Sequence, residues 1–159
     1  MRFAPGPIDG RVVKDLTKHT DRRGWLMELF REDDVPKEFF PAMAYVSSSG
    51  PGIIRGPHEH KEQADFFCFV GPSTFKISLW DYRKTSKTFG NRMMLEAGES
   101  APRSVVIPAG VVHAYKNIGA TVGWVLNFPN QLYGGMNRKE PVDEIRHEDD
   151  PHPIFKLES

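Results

Sequence analysis

Short apolar runs separated by turn residues set the pattern of this chain. Residues 66–70 (FFCFV) are apolar at every position, as in a strand covered on both faces. In residues 74–80, Phe75, Ile77 and Leu79 share one face of a strand, while Lys76 and Ser78 share the other. Similar runs, rich in aromatic and β-branched residues, occupy 104–107 and 122–128. Between them stand Gly50-Pro51-Gly52, Gly56-Pro57, Gly71-Pro72, Pro108-Ala109-Gly110 and Gly134-Gly135. Short strands punctuated in this way predict an all-β barrel or sandwich with little helix. The one helical turn expected is 33–40 (DDVPKEFF), with Asp33 or Asp34 as cap and Pro36 in the first turn. Residues 25–30 (WLMELF) read as a strand that buries Glu28, for which Arg23 or Arg55 is a natural partner; the alternative is that Glu28 faces solvent.

Length and charge narrow the class. A chain of 159 residues makes about one domain. It is expected to comprise N-terminal strands over 1–50, a barrel core over about 51–130 and a polar, proline-broken wrap over 131–159. Lys plus Arg and Asp plus Glu each total 21, and this zero balance argues against a nucleic-acid partner. No run approaches the length of a membrane-spanning helix, and residues 1–10 lack the layout of a signal peptide. The single cysteine, Cys68, excludes an internal disulfide framework and fits the cytoplasm.

The chemistry gathers on histidines. Of the six, His19, His147 and His152 are read as ordinary surface or satisfied residues. His58 and His60 follow a Gly-Pro turn and share a strand face, and Asp65 can reach the same side after a short bend. A later strand carrying His113, after Pro108-Ala109-Gly110, would place three imidazoles and a carboxylate around one point. That is a sound ligand set for a divalent transition metal such as zinc, iron, nickel or manganese. A basic, hydroxyl-rich loop at 81–90 carries Arg83, Lys84 and Lys87, which suit a diphosphate; a solvated loop is the default.

Pro108-x-Gly110-x-x-His113-x-x-x-Asn117 matches the second cupin motif, and 56–71 approximates the first, with Asp65 where glutamate is usual. The segments DRRGWLMELF, IIRGPHEH, DYRKTSKTFG and VIPAGVVHAY fall in the order and spacing of the dTDP-4-dehydrorhamnose 3,5-epimerase family, which the chain resembles over roughly 21–151. The resemblance implies an all-β cupin, a double-stranded β-helix (jelly-roll) barrel. It also implies proton abstraction and return beside the ketone of a nucleotide-linked 4-keto-6-deoxy sugar, with no cofactor and a homodimer joined by an exchanged N-terminal strand. On it, His58 is the base, His113 the second pocket histidine, Arg23 and Arg55 hold the nucleotide diphosphate, and Glu28 lies in the substrate pocket. Such chemistry needs a base with pKa near 7, a donor to the enolate oxygen and an acid on the opposite face.

Several family positions carry other residues. The enolate-stabilising lysine falls at Asp65, and the upstream Gln and Asn appear as Met43 and Tyr45. If Tyr133 is the second tyrosine of the family pattern, the acid position is Asn127. The family's aspartate partner of the base histidine lies in a C-terminal extension, and this sequence, ending at Ser159, is expected to lack it. Two alternatives absorb these differences. The dTDP-sugar 3,4-ketoisomerases share Arg55-Gly56-Pro57-His58-Glu59-His60-Lys61 and an upstream tyrosine near Tyr45, with His58 and His60 both catalytic. A metal cupin would use His58, His60, Asp65 and His113 as ligands, the cation replacing the lysine. A non-catalytic, sugar-binding cupin is the third alternative.

Overall fold

A computed structural model describes residues 1–151 and 153–157. Among the described residues thirteen strands follow one another: β1 (Ala4–Pro5), β2 (Val12–Asp15), β3 (His19–Asp21), β4 (Gly24–Leu26), β5 (Tyr45–Ser49), β6 (Ile54–Glu59), β7 (Asp65–Phe69), β8 (Thr74–Asp81), β9 (Asn91–Gly98), β10 (Arg103–Ile107), β11 (Val111–Asn117), β12 (Gly123–Asn127) and β13 (Ile145–Arg146). One sheet has the order β1-β9-β8-β11-β6-β13 and the other β2-β10-β7-β12-β5, while β3 and β4 form a separate hairpin. Apart from the parallel β1–β9 pair, neighbours run antiparallel. This is the all-β barrel that the pattern of short strands and turns predicts, in the jelly-roll cupin form that the resemblance implies. Among the described residues, no helix is long and apolar enough to cross a membrane.

Strand alternation decides what fills the barrel. Phe67 and Phe69 of β7, Phe75, Ile77 and Leu79 of β8, Val105 and Ile107 of β10 and Tyr115 of β11 point inward and form one buried cluster. Phe66 and Cys68 point the other way, where Leu29, Phe30 and Phe39 cover them. That cover explains why 66–70 has no polar face. On the outer face of the first sheet, Phe155 packs on Trp80 with ring centroids 5.9 Å apart, and Ile154 and Leu157 pack beside it. Burying an aromatic of this size contributes about 2–3 kcal/mol, enough to hold the wrap down.

Two local expectations are corrected. The turn in 33–40 is a 3-10 turn at Lys37–Phe39 headed by Pro36, and no side chain caps it. Asp33 instead pairs with Arg31 at 2.6 Å, and Asp34 pairs with Lys14. Only Gly24–Leu26 of WLMELF is strand, and Trp25 and Leu26 are exposed. Met27 and Leu29 pack on the outer face of β7. Glu28 lies between them in sequence, faces solvent and meets Arg31 at 3.3 Å, not Arg23 or Arg55. Alternation sends it outward because cover exists on one side only. The loop of 81–90 is tied down by Asp81, which accepts from Arg83, Ser86 and Thr88. Neither Arg83 nor Lys84 nor Lys87 lines the large cavity described next.

Candidate active site

The barrel opens into a cavity of about 730 Å³, in the size range of small-molecule sites. Its wall includes Tyr45, Arg55, His58, His60, Gln63, Tyr133, Asp143 and Glu148. At its floor β6 and β11 run side by side, with His58 directly opposite His113. Between that pair and Tyr115–Arg55 the register shifts, because two residues of β6, Gly56 and Pro57, face one of β11, Ala114, which makes a bulge. Gly56 has φ +83°, and a Cβ there would sit 2.5 Å from the His113 carbonyl oxygen and 3.1 Å from His58 Nδ1. Only glycine lets the two histidine strands come this close.

The predicted convergence is present. His58 and His113 have ring centroids 4.3 Å apart, and His58 and His60 5.6 Å apart. One donor atom from each of His58, His60, Asp65 and His113 lies within 4.8 Å of the others. Asp65, at the start of β7, is buried and brings Oδ2 within 3.1 Å of His60 Nε2 and 3.2 Å of His113 Nε2. Its Oδ1 accepts from Gln63 Nε2 at 2.9 Å and Asn127 Nδ2 at 2.8 Å. Asn127 also donates to the Tyr45 hydroxyl at 2.9 Å. Asn127, which the family pattern puts at the acid position, thus acts as a bridge between the carboxylate and a phenol. An amide has no acidic proton to give, whereas the Tyr45 phenol beside it has one.

Electrostatics separate the partners. Burial, and then the neighbouring His113, push His58 down to about 2, although Asp65 pulls it upward. His58 is therefore held as a neutral imidazole rather than one poised near 7, because it is buried among other rings. Burial pulls His60 down as well, but its contact with Asp65 outweighs burial, so His60 is raised. Burial would raise Asp65, yet His113 and His60 together hold it well below the usual carboxylate range. The Tyr45 phenol is pushed up to about 12, chiefly by burial and against its bond to Asn127, which keeps its proton in place.

The other predicted residues divide. Arg55 reaches the cavity wall, where Nε donates to Ser49 Oγ and Nη2 to the Ser48 carbonyl, each at 3.1 Å. Tyr133 stands at the rim, 58% exposed. Arg23 and Glu28 lie outside the cavity of their own chain. Arg23 belongs to the exposed β3–β4 hairpin and is bound to Asp21 at 2.6 Å. His19 is on that hairpin, His147 pairs with Glu59 at 2.9 Å, and His152 lies outside the described residues.

Two residues of the C-terminal wrap had no signal in the sequence. Glu148 Oε1 accepts from the Gly56 amide at 2.9 Å and lies 4.0 Å from His58 Nδ1. It sets a carboxylate beside His58, where the resemblance led to the expectation that this sequence would lack one. Asp143 accepts from the amides of Lys61, Glu62 and Gln63 at 2.8, 2.8 and 2.9 Å, and its carbonyl meets His60 Nδ1. Pairing of β13 with β6 brings both acids to the cavity.

Comparison with known proteins decides the family. The sequence model described as dTDP-4-dehydrorhamnose 3,5-epimerase matches residues 5–133. The chain belongs to this family. It is 38% identical over 126 residues to the spore coat polysaccharide biosynthesis protein SpsL of Bacillus subtilis, covering 79% of this chain and 82% of that one. It is 37% identical over 123 residues to the probable low-salt glycan biosynthesis epimerase Agl13 of Haloferax volcanii, covering 76% and 78%. The crystal structure of a dTDP sugar isomerase from Desulfovibrio desulfuricans superposes with a TM-score of 0.78, covering 94% of this chain and 91% of that one; at 21% identity this likeness is one of fold. The family's arginine-glycine-histidine motif stands here at Arg55, Gly56 and His58, all three in the cavity wall.

Proposed function

We propose that the cavity receives a nucleotide-linked 4-keto-6-deoxy sugar and that the protein epimerises a carbon beside its ketone. His58 takes the proton from that carbon, the electron pair moves onto the ketone oxygen, and Tyr45 returns a proton from its phenol. The observation that carries this reading is His58 at the floor of a sugar-sized cavity, with the Glu148 carboxylate 4.0 Å behind it. A carboxylate beside an imidazole stabilises the imidazolium that forms when the ring takes a proton. Tyr133, at the rim, suits a stacking contact to the nucleotide base or sugar. The reaction is a proton transfer and calls for no redox or group-transfer cofactor. Were His58, His60, Asp65 and His113 all to ligate a divalent metal instead, His58 would not be free to act as the base.

A second copy of the chain completes this reading. Among the described residues of the cavity wall, Glu140, Asp143, Glu144 and Glu148 outnumber the cations Arg55 and Arg146. A diphosphate needs more guanidinium than that. The β3–β4 hairpin carries Arg23, Glu28 lies just beyond it, and Trp25 and Leu26 are exposed on it at 56% and 63%. Laid across a partner's cavity mouth in a homodimer, it covers its own apolar side chains and delivers Arg23 to the diphosphate. The lone, buried Cys68 fits action in the reducing cytoplasm.

The test is incorporation of solvent deuterium, followed by NMR, across a panel of dTDP- and UDP-linked 4-keto-6-deoxy sugars. Uptake at the carbon beside the ketone is expected, with His58→Ala slower by at least about 100-fold and His147→Ala within about twofold of wild type. Migration of the ketone to the neighbouring carbon would assign a 3,4-ketoisomerase instead. No uptake from any member of the panel would sink the catalytic reading and leave a sugar-binding cupin.

A further inference from the structure

We propose that His60, Asp65 and His113 bind one divalent transition-metal ion at the cavity floor, leaving His58 free for the proton. Only the ion's chemical role depends on the epimerase reading; its binding does not.

The argument begins with atoms that lack partners. Asp65 Oδ1 takes both nearby amide donors, whereas Oδ2, fully buried, has no hydrogen bond among the described residues. His113 Nε2, also buried, has none either, although it lies 3.2 Å from that same oxygen, because the alignment is too poor for a hydrogen bond. Two such atoms side by side in a strand-built floor call for an explanation. The other ring nitrogens narrow it. His113 Nδ1 faces the Val111 carbonyl at 3.0 Å, and His60 Nδ1 faces the Asp143 carbonyl. A carbonyl oxygen only accepts, so each Nδ1 carries the hydrogen and each Nε2 turns a lone pair toward Asp65 Oδ2. With both rings neutral, two lone pairs and a carboxylate oxygen repel one another, and either a second proton on a ring or a metal ion among them relieves the repulsion; metal titration separates the two. An imidazole that ligates through Nε2 and donates through Nδ1 to a backbone carbonyl has the usual outer support of a metal-binding histidine. His60 Nε2 differs from His113 Nε2 in having a partner, because the Gln63 amide donates one hydrogen to it at 3.3 Å and the other to Asp65 Oδ1; the metal would displace that longer bond.

The spacing fits. Ligand bonds of about 2.1 Å put neighbouring donor atoms about 3.0 Å apart around an octahedral ion and about 3.4 Å apart around a tetrahedral one. The two separations here are 3.1 and 3.2 Å. Two imidazoles and one carboxylate suit Zn²⁺, Fe²⁺, Ni²⁺ or Mn²⁺, and three protein ligands leave open positions, as catalytic metal sites do. The mechanism has use for such an ion. Removing a proton beside a ketone builds negative charge on the ketone oxygen, and among the described residues of the cavity wall there is no lysine to meet it. An ion held by Asp65 supplies that positive charge.

The protein is stripped with chelator and dialysed, then titrated with Zn²⁺ by calorimetry and with Co²⁺ by its visible absorption. One equivalent per chain is expected, with Asp65→Asn and His60→Ala each weakening binding at least about 100-fold. His58→Ala and His147→Ala are expected within about fivefold of wild type. His60, at the cavity wall, provides the second variant should Asp65→Asn fail to fold by circular dichroism. Less than a tenth of an equivalent bound, or affinity indifferent to both His60 and Asp65, overturns the site. Metal-free protein that takes up deuterium at the full rate removes the ion's role and leaves the epimerase reading intact. Stoichiometric binding without deuterium uptake from any 4-keto sugar overturns the epimerase reading and leaves the metal site standing.

Discussion

The carboxylate behind His58 gives the sharpest single perturbation. In Glu148→Gln the side-chain oxygen can still accept from the Gly56 amide, now 2.9 Å away, so the bulge that positions His58 is retained. What is lost is the negative charge 4.0 Å from His58 Nδ1. At an effective dielectric of about 20, a unit pair at that separation is worth about 4 kcal/mol. Because the Glu148 side chain is 36% exposed, solvent screening reduces this to about 1–2 kcal/mol. His58 is neutral before the reaction and charged only after it has taken the proton, so the loss falls on the transition state rather than on substrate binding. The expected outcome is a kcat lower by about 5- to 30-fold with KM within about twofold, read from deuterium uptake under saturating and limiting substrate. Glu148→Ala, which also strands the Gly56 amide, should cost more and lower the melting temperature. A Glu148→Gln enzyme with unchanged kcat, or with its whole defect in KM, would show that the carboxylate merely holds the loop.

Two further outcomes test the frame around the site. Burial would raise Asp81, but its bonds to Arg83, Ser86 and Thr88 hold it down to about 2 against an ordinary 3.8, with its side chain fully inaccessible. A depressed carboxylate stabilises the fold above its unfolded value and loses that contribution as pH falls through its folded value. The difference in unfolding free energy between wild type and Asp81→Asn, about 2 kcal/mol at pH 7, should therefore shrink between pH 4 and pH 2; a difference flat with pH refutes the ion-pair account. Arg23→Ala should weaken binding of a nucleoside diphosphate by about tenfold, although Arg23 lies outside its own chain's cavity, and gel filtration should give a dimer. A fully active monomer would refute the exchanged hairpin.

The fold was legible because it rests on local alternation. Phe75, Ile77 and Leu79 announce an inward face, and 66–70 announces a strand covered twice, whatever the distant neighbours turn out to be. Where legibility failed, the cause was one-sided cover. WLMELF has the composition of a buried strand, but only Met27, Leu29 and Phe30 find β7 beneath them, so Trp25, Leu26 and Glu28 stay in solvent. Residues 33–40 carry good helix-start chemistry, yet Asp33 and Asp34 have cationic partners in Arg31 and Lys14, and an acid that is paired in this way does not cap.

The candidate site was legible as far as strand geometry reaches and no farther. Period two puts His58 and His60 on one face, and the Pro-x-Gly turn starts the strand that sets His113 against them, so three imidazoles could be counted on from spacing alone. Glu148 and Asp143 could not. They belong to a polar, proline-broken tail whose only recognisable feature is exposure, and they reach the cavity because the two residues of β13 pair with β6. One short tertiary pairing thus places both the carboxylate behind His58 and the carbonyl behind His60, which fixes which ring nitrogen each histidine turns inward. The chemistry of the paired histidines is set outside the motif that contains them: an intact Arg-Gly-x-His-x-His sequence without its tail would keep the rings and lose their orientation.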